Sequence, residues 1–150
     1  MGTEIGTLAI RRSILIHAPP ERVWQECESL ERMRAWFGTG HTLTKYEPRV
    51  GGMVETDAGE WKGERLLFGG RITVFDPPRE VTWEGDWYDH GWVAPALMTI
   101  RLTPALGGTL VELFSHAFER TGPNAAEEHA GFEGGWTMLQ LEALRKIVEA

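Results

Sequence analysis

Residues 96–118 read ALMTIRLTPALGGTLVELFSHAF, and residues 136–148 read WTMLQLEALRKIV. In the first stretch apolar and polar residues alternate on both sides of a turn at Gly107-Gly108, which is typical of two antiparallel strands. In the second stretch apolar residues recur at the spacing of one broad helical face. A hairpin followed by an amphipathic helix predicts an α+β domain.

The segment before this hairpin consists mainly of further β-type runs. Gly51-Gly52 and Asp76-Pro77-Pro78 separate them with strong turn chemistry. Because no helical period long enough for a crossover lies between the runs, the sheet is predicted to be an antiparallel meander of about six or seven strands. The expected strands cover residues 8–16, 42–46, 53–57, 65–75, 80–86, 96–103 and 109–118.

Helices are predicted at both ends of the meander. Pro19-Pro20-Glu21 is a helix start, because proline and an acid both suit the first turn, and Ser29 can cap a second short helix. Near the other end a short helix is expected over residues 125–130. The glycine cluster at 131–135 should then bend the chain before a long C-terminal helix, residues 136–148.

The composition predicts one domain and restricts its partners. The chain has 150 residues with a formal net charge of -7, which repels nucleic acid and anionic lipid surfaces, so neither is an expected partner. Cys27 is the only cysteine, which rules out an intrachain disulfide and a cysteine-based metal site. Since no apolar run is long enough to cross a bilayer, we expect a cytoplasmic protein without a membrane partner.

Several short motifs in a fixed order resemble those of one superfamily. The motifs are residues 16–24 (IHAPPERVW), 36–38 (WFG), 51–52 (GG), 70–79 (GRITVFDPPR) and 134–139 (GGWTML). Their order resembles the START and birch-pollen-allergen helix-grip superfamily, called SRPBCC. Within it, the chain is most similar to homologues of the activator of the 90 kDa heat-shock protein's ATPase. The resemblance spans nearly the whole chain, although Ser115 stands where such strands often carry histidine.

The resemblance implies a curved antiparallel sheet wrapped around the long C-terminal helix, with an apolar cavity between them. It implies no named reaction, since function does not follow from fold. A cavity of this kind would be lined by inward strand residues and by the near side of the last helix. The candidate lining residues are Trp36, Met53, Glu55, Ile72, Val74, Val81, Trp83, Met98, Ile100, Val111, Leu113, Phe132, Trp136 and Leu139.

A binding site of this kind needs a few placed polar groups as well as apolar walls. Arg65 or Arg71 could pair with a carboxylate or phenolate on a ligand, although a solvated strand face or a salt bridge to a neighbouring acid is the favoured explanation for both. Ser115 and His116 are further polar candidates on the last strand. We expect no metal ion or cofactor, and the sequence lacks a phosphate loop and a nucleophile elbow.

Residues 86–92, DWYDHGW, form the most unusual segment, with three aromatics, two acids and a histidine in a predicted loop. The loop could be a lid over the cavity mouth, or it could pack its own side chains or contact a second copy. His90 beside Asp86 or Asp89 is the one local pair suited to acid–base chemistry. His90 and Glu55 are therefore the weak catalytic candidates.

Three functions are compatible with these features. The leading hypothesis is binding of a small hydrophobic or aromatic molecule without catalysis. The alternatives are a cavity-based enzyme of the cyclase, dehydratase or hydrolase type, which the superfamily resemblance implies, and a co-chaperone-like interaction domain. A homodimer is also expected to be possible, because Leu110 and Phe114 make the outward face of the last strand more apolar than solvation requires.

Overall fold

The computed structural model describes residues 2–38, 42–88 and 91–150. Its strands form one seven-stranded antiparallel sheet in the order β1-β7-β6-β5-β4-β3-β2, which confirms the predicted meander. The sheet is curved, and register shifts in the β2, β3 and β4 pairings add local bends. The strands are β1 Ile10–Ile16, β2 Thr42–Tyr46, β3 Met53–Trp61, β4 Glu64–Asp76, β5 Glu80–Trp87, β6 Ala96–Ala105 and β7 Gly108–His116.

The observed strand bounds differ from the predicted ones mainly at the ends. β2 has the predicted bounds, and β3 continues to Trp61 instead of residue 57. β7 ends at His116, two residues earlier than expected, because Ala117 adopts a left-handed conformation with φ 63°. A 3-10 turn, Phe118–Arg120, follows directly. The left-handed residue therefore terminates the last strand.

Two short helices follow β1, as predicted: α1 Pro20–Trp24 and α2 Leu30–Trp36. The turn between them is held by Glu26, which is 2% exposed and accepts hydrogen bonds from Arg22 at 2.7 Å and Arg32 at 3.0 Å. A buried carboxylate is tolerated when cations pair with it in this way. The turn therefore fixes the start of α2, and with it the position of Trp36.

The C-terminal helices differ from the prediction. α3 Ala125–Gly135 runs through the glycine cluster instead of bending there, and α4 Leu139–Val148 is ten residues long instead of thirteen. The helical conformation ends at Trp136, whose backbone is extended with φ -89° and ψ 131°. Trp136 packs against two hydrophobic clusters. Tertiary packing, rather than the helix penalty of glycine, thus decides where the helix ends.

One face of the sheet, the inner face, carries the main core. Its buried apolar residues join those of α1, α2 and α4 in a single cluster. α4 contributes Leu141, Leu144 and Val148 to that cluster and contacts both β1 and α2. Burial of this helix's apolar stripe is what attaches it to the sheet.

The opposite face, the outer face, is polar and is partly covered by the N-terminal residues of the same chain. Thr3 donates its backbone N–H and its hydroxyl to Glu80 and accepts a hydrogen bond from Arg101. The Arg101 guanidinium in turn lies 5.3 Å from the centre of the Phe114 ring, which is 6% exposed. Phe114 is thus buried by its own chain, and a homodimer through this face stays a prediction.

Candidate ligand-binding site

The register of the strands defines which predicted residues share the inner face. Ile100 lies opposite both Val81 and Leu113, and Met98 lies opposite both Trp83 and Ser115. Directly paired residues point to the same side of a sheet, so these side chains form one surface. The predicted cavity residues that the structure brings together in the main cluster are Trp36, Ile72, Val81, Trp83, Met98, Ile100, Val111 and Leu113.

Four other predicted residues lie on the outer face. Alternation places Met53 and Glu55 on either side of inward Val54, and Arg71 is the direct partner of Met53. Val74 follows a register shift after Ile72 and pairs with Thr82 on the outer face. The simple two-residue period fails across such a bulge. The expectation that Met53, Glu55, Arg71 and Val74 line an inner-face cavity was therefore wrong.

The polar candidates of the outer face and the sheet edge are engaged in structural contacts. Arg65 forms an ion pair with Asp57 at 2.9 Å, and Arg71 donates to the Gly51 carbonyl at 3.1 Å. Glu55 accepts a hydrogen bond from the Thr44 hydroxyl at 2.6 Å. Since Glu55 lies on the far side of the sheet, it cannot act on a molecule held at the inner face.

Tyr88 is a second side chain that is hydrogen-bonded to Glu55. Partial burial, followed by its hydrogen bond to Glu55, raises the pKa of Tyr88 to about 12. The phenol is therefore neutral at physiological pH and serves as a donor. The other catalytic candidate, His90, lies outside the described residues, as does Asp89.

His116 is a fully buried outer-face residue rather than a cavity residue. Its Nε2 lies 2.9 Å from the Thr99 hydroxyl, which continues to Thr82 at 2.8 Å. Burial, followed by the nearby positive charge of Arg101, lowers the pKa of His116 to about 4. The imidazole is therefore neutral at physiological pH and belongs to the hydrogen-bonded chain that reaches Glu80.

A second hydrophobic cluster lies on the inner face around Phe132 of α3. The Phe132 ring lies 5.8 Å from the Phe68 ring, 6.1 Å from that of Trp87 and 5.9 Å from that of Trp92. Asp86 accepts the backbone N–H groups of both tryptophans, at 2.7 Å and 3.0 Å. Trp87 and Trp92 of the 86–92 segment thus pack inward on α3, which supports the interpretation of this segment as a self-packed loop.

The two clusters meet at a polar boundary. Ser115 follows Leu113 of the main cluster by two residues on β7, and its cross-strand partner on β1 is Ile10 of the second cluster. Next to it on β1, Arg12 also faces inward and donates to the Trp136 carbonyl at 3.3 Å. Trp136 packs against both clusters. We call Arg12, Ser115 and Trp136, together with Gln140 one helical turn further along the chain, the inner boundary.

Half-buried aromatic side chains adjoin the inner boundary. Phe37, just after α2, packs edge-on against Trp83 of the sheet at 5.5 Å and against Trp136 at 6.4 Å. Phe37 and Trp136 are each partly exposed, whereas Trp83 is 3% exposed. An apolar surface bordered by aromatic edges and a few polar groups is the usual composition of a small-molecule site.

Sequence reasoning missed two residues of the inner boundary, Arg12 and Gln140. Arg12 occupies an inward position of β1 between Ile10 and Ile14, so strict alternation could have flagged it. Gln140 lies one helical turn before Leu144, on the stripe that α4 buries. By contrast, Leu139, which was predicted to line the cavity, is 57% exposed.

The described ranges 2–38, 42–88 and 91–150 contain no group of three His, Cys, Asp or Glu side chains arranged to hold a metal ion. Cys27 is fully buried, and burial raises the pKa of its thiol, which opposes thiolate chemistry. None of the helices described is long and apolar enough to cross a membrane.

Comparisons with solved structures show the same fold in several bacterial proteins. A protein of Chromobacterium violaceum is 23% identical with a TM-score of 0.69, over 95% of this chain and 97% of that chain. One of Rhodobacter sphaeroides is 21% identical with a TM-score of 0.70, over 97% of each. DynU16, described as belonging to the dynemicin biosynthetic locus, is 18% identical with a TM-score of 0.66, over 97% of this chain and 48% of its own.

The sequence itself matches a family model. No curated protein matches the chain. The model described as "Activator of Hsp90 ATPase homolog 1-like protein" matches residues 17–149, from directly after β1 to one residue beyond α4. The motif order, the seven-stranded sheet with its helices and this match agree, and the chain belongs to the family of activator of Hsp90 ATPase homolog 1-like proteins within the SRPBCC superfamily.

Proposed function

We propose that the protein binds a small hydrophobic or aromatic molecule at the inner boundary, between the sheet and α4, without catalysing a reaction. One observation carries the proposal: Arg12 and Ser115 interrupt the apolar inner face where the two clusters meet, beside Trp136, which packs against both. A single continuous core would place apolar side chains there. Polar groups at such an interruption can orient a ligand whose body lies against the apolar walls.

The chemistry of the inner boundary favours binding over catalysis. The Arg12 guanidinium presents only N–H donors and gives two of them to the carbonyls of Arg11 and Trp136. Donors of this kind orient a ligand rather than abstract a proton from it. The carboxylate that sequence reasoning offered as a base, Glu55, belongs to the outer face. These positions support a recognition site.

The relatives add support by analogy only. DynU16 is attributed to a biosynthetic locus, a setting in which small organic molecules are made and handled. At 18% identity its fold is comparable but its ligand is not transferable. The family description points to a co-chaperone role, which depends on a surface rather than on the inner boundary.

The test compares two serine substitutions of the same kind. Ser115→Leu fills the inner boundary, whereas Ser13→Leu adds the same volume to the outer face of β1, where Ser13 pairs with Glu112. Both serines are half-buried, so the variants are matched in exposure as well as in chemistry. The fluorescent apolar probe N-phenyl-1-naphthylamine is titrated into each protein.

We expect the wild type and Ser13→Leu to bind the probe with similar affinity. Ser115→Leu should bind it about tenfold more weakly, because the added methyl groups occupy the ligand's space. Equal affinities in all three proteins would place the binding elsewhere. An absence of binding by the wild type, together with no ligand recovered from a metabolite extract by native mass spectrometry, would contradict the proposal.

A further inference from the structure

The side chain of Gln140 contains a buried oxygen atom, Oε1, without a hydrogen-bond partner in the described part of the chain. Gln140 precedes Ala143, Leu144 and Ile147 by three, four and seven residues, which places all four on one stripe of α4. Leu144 is 0% exposed, and Ala143 and Ile147 pack against the main cluster. Gln140 therefore lies at the N-terminal end of the stripe that faces the sheet.

Several donors on the elements around α4 are engaged elsewhere. Two N–H groups of Arg12 donate to the carbonyls of Arg11 and Trp136, and the Trp36 indole N–H donates to the Glu26 carbonyl at 3.0 Å. The Leu139 N–H, at the start of the same helix, donates to the Thr137 hydroxyl at 3.2 Å. Because buried acceptors in proteins are nearly always satisfied, the Gln140 oxygen requires a donor that the described residues do not supply.

We propose that the Gln140 Oε1 accepts a hydrogen bond from the bound molecule, so that the ligand is a neutral, largely aromatic compound with a hydroxyl or N–H group at one end. This inference rests on the proposed function and names the ligand chemistry of the same site. With the amide in the observed orientation, an ether, a ketone or an ionised carboxylate would bring its oxygen against the Gln140 oxygen with no proton between them, and it could bind well only if the amide turned over to present its N–H groups. A neutral phenol, alcohol or amine supplies the missing proton.

The experiment uses ligands that differ only at the polar end. 2-Naphthol has a donor, 2-methoxynaphthalene has an acceptor alone, and 2-methylnaphthalene has neither; phenol, anisole and toluene repeat the series at smaller size. Each is titrated into the wild type, Gln140→Leu and the control Gln25→Leu. Gln25 lies in the 3-10 turn after α1 and contacts Arg22 at an exposed position. Calorimetry gives the affinities, and the side-chain amide resonance of Gln140 reports the contact directly.

We expect the wild type and Gln25→Leu to bind the hydroxyl compound about tenfold more tightly than the methyl compound. Gln140→Leu should lose this preference and bind the methyl compound at least as well as the wild type does. Gln140→Met, which also removes the amide, should behave in the same way if Gln140→Leu folds poorly.

The other outcomes separate the two proposals. If both series bind but the hydroxyl group brings no preference, the inference fails while the proposed function stands, and a resident water then satisfies Gln140. Tightest binding of the methoxy compound would also overturn the inference, because it would require a donor at this position. If no compound of either series binds, the proposed function fails, and the inference that rests on it fails with it.

Discussion

The two faces of the sheet treat polar side chains in different ways. On the outer face, Glu80, Arg101 and Thr3 bond to one another, and the chain continues through Thr82 to Thr99 and His116. On the inner face, Arg12 bonds to backbone carbonyls, and the Gln140 oxygen is without a partner in the described part of the chain. Polar groups that satisfy one another serve the fold. Polar groups left open within an apolar surface are available for a ligand.

His116 limits this contrast, because its Nδ1 also has no partner within the described ranges. Its Nε2, however, is bonded to Thr99, and the ring packs edge-on against Phe114 at 6.4 Å. Burial keeps the imidazole neutral. His116 thus contributes to a packed structural network, whereas Gln140 stands at the edge of a site. The following predictions test this division between the faces.

The largest effect is expected for Glu80→Ala. Glu80 is 3% exposed and pairs with Arg101 at 3.0 Å, so its loss leaves a partly buried guanidinium without its carboxylate. We expect the free energy of unfolding to fall by about 3 kcal/mol in urea titrations. Glu84→Ala on the same strand is the control, because its pair with Arg120 is half-exposed and 4.0 Å long, and about 0.5 kcal/mol should be lost. Equal losses in the two variants would contradict a structural role for the outer network.

Gly85→Ala should have the next largest effect. A Cβ at Gly85 would lie 2.5 Å from Cε1 of Phe68, whose ring is already held by Trp87 at 4.8 Å and by Phe132. Displacing the ring should cost about 2 kcal/mol in the free energy of unfolding. The control is Gly131→Ala within α3, where a Cβ meets nothing within 4 Å.

Alanine at Gly131 should stabilise the protein by about 0.5 kcal/mol, because glycine is unfavourable inside a helix. A destabilising Gly131→Ala would show that α3 bends at its glycines. An unchanged melting temperature in Gly85→Ala would show that Phe68 is not confined.

The pH dependence of stability should show a smaller contribution from His116. Its folded pKa, about 4, lies below the ordinary value of 6.5, so the unfolded chain binds the proton more readily. The stability that the neutral ring provides is complete above about pH 6.5 and is lost as the pH falls towards about 4. Between pH 7 and pH 5 the loss should be about 1.5 kcal/mol.

His116→Gln keeps a hydrogen-bonding group beside Thr99 and cannot titrate. Its free energy of unfolding should therefore fall less over the same pH interval, and the difference between the two proteins isolates the histidine. Identical pH profiles for wild type and His116→Gln would contradict a buried neutral imidazole.

The smallest effect is a gain in stability. Gln140→Leu replaces an unsatisfied buried oxygen by apolar atoms, so the free energy of unfolding should rise by about 1 kcal/mol. Thermal unfolding without ligand measures it, with Gln25→Leu as the neutral comparison. A loss of stability of the same size would mean that Gln140 is already satisfied in the folded chain.

The sequence predicted the fold well where local chemistry determines it. Strong turns at Gly51-Gly52 and Asp76-Pro77-Pro78 separate the runs, and β2 has its predicted bounds. Local patterns could not show the break at Trp136, because it results from packing against two clusters that are distant in sequence. The predicted long C-terminal helix was wrong for this reason.

The candidate site was predictable only in part. The alternation of apolar and polar residues correctly predicts that Trp83, Met98 and Ile100 face inward. It gives the wrong face for Val74, because the register shift after Ile72 turns that side chain outward. The open oxygen of Gln140 depends on where every neighbouring donor points, and no sequence pattern contains that information.

Tryptophan resonances provide the most direct test of binding at the inner boundary. The chain has seven tryptophans, and Trp136 belongs to the inner boundary. Phe37 packs against Trp136 and also against Trp83. Trp24 belongs to the main cluster near Phe75 and serves as the internal reference. On titration with 2-naphthol, we expect the Trp136 indole N–H resonance to shift most, that of Trp83 to shift less and that of Trp24 to stay unchanged. Shifts absent from Trp136, or spread equally over all the tryptophans, would contradict a ligand site between the sheet and α4.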